Sequence, residues 1–160
     1  MRRIAWLIVP IVLVALLGLA VFAARGPSPT TAFTLKPGDC FDIPADAQVG
    51  DLPTIDCSKA HDAEAFVAQN VYTPSPTGIV PYPGDAGFGQ FAGANCGLAA
   101  EEAYLGPGTA ARTGLVVGYF FPDADAWAHG ELRVTCYLHA SDGSKLSALL
   151  GASGPSAAPS

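Results

Sequence analysis

His61, Asp62 and Glu64 form the one dense cluster of side chains in this chain whose types could do chemistry. An imidazole beside two carboxylates can bind a divalent cation or relay protons as general acid and base. Side chains alternate along an extended strand, so Asp62 and Glu64 point one way and His61 the other. The three converge only if a turn intervenes. His61 is therefore read as a structural histidine, hydrogen-bonded to a loop or to Glu64, and no metal or cofactor is expected. His61, Asp62 and Glu64 stand as the metal candidates should one bind. Cys57 and His61 also make half of a Cys/His zinc pattern, but zinc requires reduced thiolates.

Nucleophilic catalysis has no signature here. There is no G-x-S-x-G elbow, and Ser58-Lys59 and Ser144-Lys145 are adjacent pairs without the S-x-x-K spacing. Asp123 and Asp125 could pose as a glycosidase pair, yet they flank a turn signal and read as turn aspartates. The 18 glycines are scattered and form no phosphate-binding loop. Trp127 lies near Tyr119, Phe120, Phe121 and Tyr137, a group that makes either an exposed binding patch or a core edge. Trp127 and Tyr137 are the candidate binding surface.

Cys40, Cys57, Cys96 and Cys136 are the only cysteines, an even set that fits two disulfides in an oxidising compartment. Four cysteines allow three connectivities. Pairing Cys40 with Cys57 and Cys96 with Cys136 closes loops without threading and is favoured for that reason. The chain-entropy model assigns these crosslinks about 3 and about 4 kcal/mol.

The elements that must carry these residues are short. Residues 39–43 and 52–57 read as two small strands across a turn-rich loop, and 62–72 as a strand whose imperfect alternation suggests that both faces are covered. Prolines 74, 76, 81 and 83 make the next stretch a structured loop. From 85 to 105 apolar residues recur at helical steps, with Asp85 as the expected N-cap. Four glycines in that span, Gly87, Gly89, Gly93 and Gly97, each cost roughly 1 kcal/mol in a helix interior, so the helix needs tertiary packing. Residues 115–121 read as a central strand, 122–127 as a turn or single helical turn, and 131–139 as a strand with Cys136 facing inward.

Location follows from an uninterrupted apolar run at residues 4–24, opening at Ile4 and closing at Ala24. At helical rise it spans about 30 Å, the thickness of a bilayer's hydrocarbon core. Arg2 and Arg3 precede it, which keeps the N-terminus cytoplasmic and sends the remainder outside. A cleavable signal peptide is the competing reading, although its apolar core is usually about 7 to 15 residues. The expected organisation is an anchor at 1–25, a linker at 26–34, one domain at 35–150 and a Gly, Ala, Ser and Pro tail at 151–160. The formal charge is −6, and without Arg2, Arg3 and Arg25 five basic residues face fourteen acidic ones. So acidic a domain repels nucleic acid and other polyanions, leaving neutral or cationic partners.

Several residues taken together resemble a known family. Leu35-Lys36-Pro37-Gly38-Asp39-Cys40-Phe41, Ile55-Asp56-Cys57-Ser58, His61-Asp62-Ala63-Glu64, Tyr82-Pro83-Gly84, Cys96, and Trp127 with Gly130, Val134 and Cys136 are similar to the bacterial septum formation family. These are small exported domains, mainly actinobacterial and often behind one membrane helix. The chain has Ala60 where that family commonly has proline, and Gly130-Glu131-Leu132 where it has Gly-Asp-Arg. The lost arginine leaves Arg133 as the nearest substitute. The resemblance implies a role in cell division or envelope assembly and structural disulfides, and it transfers no catalytic residue.

The expectation is thus an α+β domain, a small antiparallel sheet with one packed helix and two disulfides, preceded by a single transmembrane helix. It is a noncatalytic interaction module outside the plasma membrane, with division or envelope proteins as partners. The alternatives are an extracytoplasmic enzyme, metal-assisted and centred on His61, Asp62 and Glu64, and a sensor of ligands across the membrane.

Overall fold

A computed structural model describes residues 30–45, 52–72, 81–109 and 114–151. Among these residues no helix is long and apolar enough to cross a membrane. The apolar run at 4–24 lies outside the described residues, as do 26–29 of the linker, most of the proline-rich loop and 152–160 of the tail.

Alternating apolar residues produce a five-stranded sheet: β1 (Cys40–Phe41), β2 (Thr54–Ile55), β3 (Ala63–Asn70), β4 (Leu115–Phe120) and β5 (Arg133–Ala140). Its order is β2-β1-β3-β5-β4, with every neighbouring pair antiparallel. The long strands β3 and β5 form the centre, and β4 is an edge rather than the central strand its apolar run suggests. The imperfect alternation of β3 has two causes. The register shifts between Ala65 and Val67, an irregularity that leaves Phe66 without a direct partner on β5 and lets Phe66 and Val67 pack against one core. Both sheet faces are also covered.

Among the described residues there are three helices, α1 (Gly84–Asn95), α2 (Leu98–Leu105) and the short α3 (Ala124–Ala128): the one helix expected from 85 to 105 is divided in two, and α3 is the single helical turn expected at 122–127. The helical pattern from 85 to 105 breaks at Cys96 and Gly97, the latter extended at φ −77°, ψ −171° as it starts α2. Pro83, not Asp85, precedes α1, and no side chain caps it. Asp123 does cap α3, its Oδ1 accepting from the Ala126 N–H at 2.8 Å.

One core contains Phe66, Phe88, Leu105, Trp127, Val134 and Leu138 with the Cys96–Cys136 disulfide, which ties the break between α1 and α2 to β5. The other contains Ala32, Leu35, Phe41, Leu52, Ala63, Ala65 and Phe120. Part of the expected linker is therefore folded. Ala32 is fully buried, and its carbonyl accepts from the Thr135 hydroxyl at 2.8 Å. Arg133 donates to the Leu35 carbonyl at 3.2 Å and to that of Ala68 at 3.3 Å, so it pins this segment to the sheet. The disulfides join Cys40 to Cys57 and Cys96 to Cys136, with Cα separations of 5.4 and 6.2 Å, inside the ordinary range.

Candidate functional site

The His61 cluster is rearranged relative to strand alternation. His61 forms a two-way backbone bridge with Leu146, the chain bends at Asp62, and β3 begins only at Ala63. That bend turns His61 to the same side as Glu64 and sends Asp62 away. Asp62 instead meets Lys145 Nζ at 2.8 Å, which also contacts Asp42 at 2.7 Å, in a solvent-accessible group. These two carboxylates hold the Lys145 ammonium above its usual pKa.

Cys40, His61 and Glu64 are all buried, and one ligand-type atom from each lies within 4.8 Å of the others. The donor chemistry does not suit a cation as it stands. The Cys40 sulfur is oxidised in the disulfide with Cys57 and offers no thiolate. Both Glu64 oxygens are already acceptors: Oε2 from the Leu150 N–H at 2.6 Å, Oε1 from the Gly151 N–H at 3.2 Å and from the Tyr104 hydroxyl. Burial and the Glu64 carboxylate push the Tyr104 pKa far up, so its hydroxyl keeps the donated proton. His61 Nδ1 lies 2.7 Å from the Lys59 carbonyl and donates to it, while Nε2 is buried without a hydrogen-bond partner. The cluster is an internal knot fastening segment 146–151 to the start of β3.

Accessible chemistry lies elsewhere, around the end of β4. A cleft of about 540 Å³ opens at the C-terminal end of β4. Tyr119, Phe120 and Phe121 all line it, and because consecutive strand residues face opposite sides, the cleft straddles the strand's edge. Ile43, Pro44, Ala45, Tyr82 and Asp85 also line it. Tyr137 lines it too, a position made possible by Gly118, since any Cβ there would lie 2.3 Å from the tyrosine ring. Asp123 completes the rim. The Tyr82 hydroxyl donates to the Pro122 carbonyl at 3.4 Å. Partial desolvation raises the Tyr82 pKa, and the charges of Asp85 and Asp123 raise it further, so both carboxylates act on one phenol.

Of the candidate surface pair, Tyr137 lines this cleft and Trp127 does not. Trp127 is only 5% exposed, its indole edge-on to Phe88 at 5.6 Å and to Tyr82 at 6.1 Å. Of the two readings of Trp127, an exposed patch or a core edge, the structure has the core edge, and its place in the candidate binding surface is corrected: α3 turns the indole inward against Tyr82, which is itself 37% exposed. Sequence reasoning missed Tyr82 and Asp85 because a proline-rich loop brings them to the cleft. The Tyr82-Pro83-Gly84-Asp85 run was the available signal, an aromatic and a carboxylate at a helix start.

The family model for septum formation matches residues 37–157. The chain belongs to the septum formation family. The match spans the sheet, the three described helices and both disulfides, and so contains the His61 knot and the cleft together. No curated protein and no solved structure matches the chain. For this septum formation domain, membership bears on cell division, and the chemistry of its site must be argued from its own residues.

Proposed function

We propose that this septum formation protein is a noncatalytic interaction module, held outside the plasma membrane by residues 4–24 with its N-terminus cytoplasmic, that contacts division or envelope-assembly proteins through the cleft at the end of β4. The carrying observation is the contrast between its two polar groupings. The groups suited to acid–base or metal chemistry, His61 and Glu64, are 0% exposed and engaged in fastening the chain to itself. The aromatic and acidic groups of the cleft are open to a partner. Two disulfides support an oxidising compartment. The apolar run and its flanking arginines support the anchor and its orientation.

Proximity labelling in a dividing native host, with the tag on the C-terminus, tests this reading. Division or wall-assembly proteins should be enriched around the intact protein and reduced around Tyr119→Ser, which empties part of the cleft while sparing Trp127. A diffuse set of neighbours that ignores the substitution would sink the reading.

A further inference from the structure

We infer that the edge of β4 and the cleft at its end receive an extended segment of a partner protein that carries an arginine or lysine. This rests on reading the cleft as the contact surface and specifies what fills it.

The first observation is the edge. β4 ends the sheet, and among the described residues its outer side pairs with no other strand. Exposed edges are normally blunted by lysine, proline or a bulge. Leu115–Phe120 has no charge, no proline and an unbroken register with β5, and Val116 is 40% exposed. Such an edge is suited to accept a strand through main-chain hydrogen bonds.

The second observation is what stands at the end of that edge. The cleft walls are aromatic and its lining contains two carboxylates, Asp85 and Asp123, with no basic side chain. Both carboxylates lie close enough to Tyr82 to raise its pKa. Aromatic faces beside carboxylates that have no basic side chain next to them in the cleft attract a cation, and a guanidinium can stack as well as pair. A strand added along β4 would run directly into this position, so a basic side chain near its end would enter the cleft. A second copy of this chain is the poorer occupant, because the part beyond Arg25 is itself strongly acidic.

The test uses the full chain in detergent micelles, isotopically labelled for amide NMR. The probe is a blocked seven-residue peptide of alternating threonine and valine with one arginine near its end. Shifts confined to β4, residues 82–85 and residues 121–123 are expected. Binding should weaken about tenfold when citrulline replaces arginine, and similarly in Asp85→Asn/Asp123→Asn. Asparagine keeps the cap on α3, so this variant should fold normally. Methylating alternate peptide nitrogens should also weaken binding. Equal binding of the arginine and citrulline peptides would overturn the proposal. So would arginine amide binding as tightly as the peptide, which marks a small-cation site, or self-association of the protein through β4, which marks a second copy. Proximity labelling separates the two levels: division neighbours insensitive to Asp85→Asn/Asp123→Asn would defeat the basic segment alone, whereas a diffuse neighbourhood would defeat the interaction module itself.

Discussion

Glu64 shows how a residue that reads as chemistry can act as architecture. Its carboxylate is buried and meets three donors, two of them backbone N–H groups 86 and 87 residues further along the chain. Glu64→Gln should cost about 2 kcal/mol in chemical denaturation, because an amide presents one oxygen where two are used and turns its own donors toward others. Asp62→Asn removes the charge from the accessible Lys145 pair while its amide oxygen can still accept from the Ile43 N–H, so it should cost at most about 1 kcal/mol. Equal losses would mean that the knot contributes nothing beyond surface charge. The sequence located these residues but not their directions. The bend at Asp62 depends on a bridge to Leu146, and no local pattern around His61 encodes that pairing. A smaller acid effect belongs at this scale. Ser58 donates to Asp56 through both N–H and hydroxyl, which lowers the Asp56 pKa below 3.8 in the folded chain. Its contribution to stability is present above that value and disappears as pH falls through the depressed one, so Asp56→Asn should reduce the slope of acid denaturation in that window.

At the scale of elements, the helical region was legible in period and illegible in continuity. The four glycines of the 85–105 region look alike in the sequence and differ in surroundings. A Cβ at Gly97 would lie 2.9 Å from the Gly93 carbonyl oxygen, and one at Gly87 would lie 2.6 Å from Pro83. A Cβ at Gly93 would meet nothing within 4 Å. Gly93→Ala should therefore stabilise the protein by about 1 kcal/mol, the intrinsic helix preference, with a higher thermal midpoint. Gly97→Ala should destabilise by about 1–2 kcal/mol by pressing on the turn that carries Cys96. If both raise the midpoint, the break between α1 and α2 is not a packing requirement. The strands were legible for the same reason that Gly93 was not: alternation records which face is buried, whereas space around a glycine depends on neighbours. β4 was misplaced to the centre because a continuous apolar run signals burial on both faces. Here Phe120 meets one core while Leu115, Val117 and Tyr119 meet the other, and the lateral edge stays open.

For the whole molecule, the question is what holds a two-core sheet of this size closed. The disulfides were readable from count and order alone, and each fastens a different layer: Cys40–Cys57 joins the β1–β2 corner, and Cys96–Cys136 joins the helices to β5. The non-covalent closures were not readable, because Ala32 and Gly151 fall in the expected linker and tail, and the pairing of His61 with Leu146 has no local signal. At one end Ala32 and Leu35 seal the second core. At the other, the Leu146 bridge and the Leu150 and Gly151 N–H groups seal the Glu64 knot, with Gly151 so close to the Tyr104 ring that a Cβ would lie 2.7 Å from it. A chain ending at Gly151 keeps every one of these contacts. A chain ending at Ser147 keeps the bridge but strands the Glu64 carboxylate with Tyr104 as its one remaining hydrogen-bond donor, at a cost of about 2–4 kcal/mol by the penalty for buried unsatisfied polar groups. Comparing denaturant midpoints of the two truncations, both with disulfides intact, isolates the strap from the crosslinks. Coincident midpoints would show that the disulfides alone close the domain, and a gap of that size would show that Glu64 closes it from within.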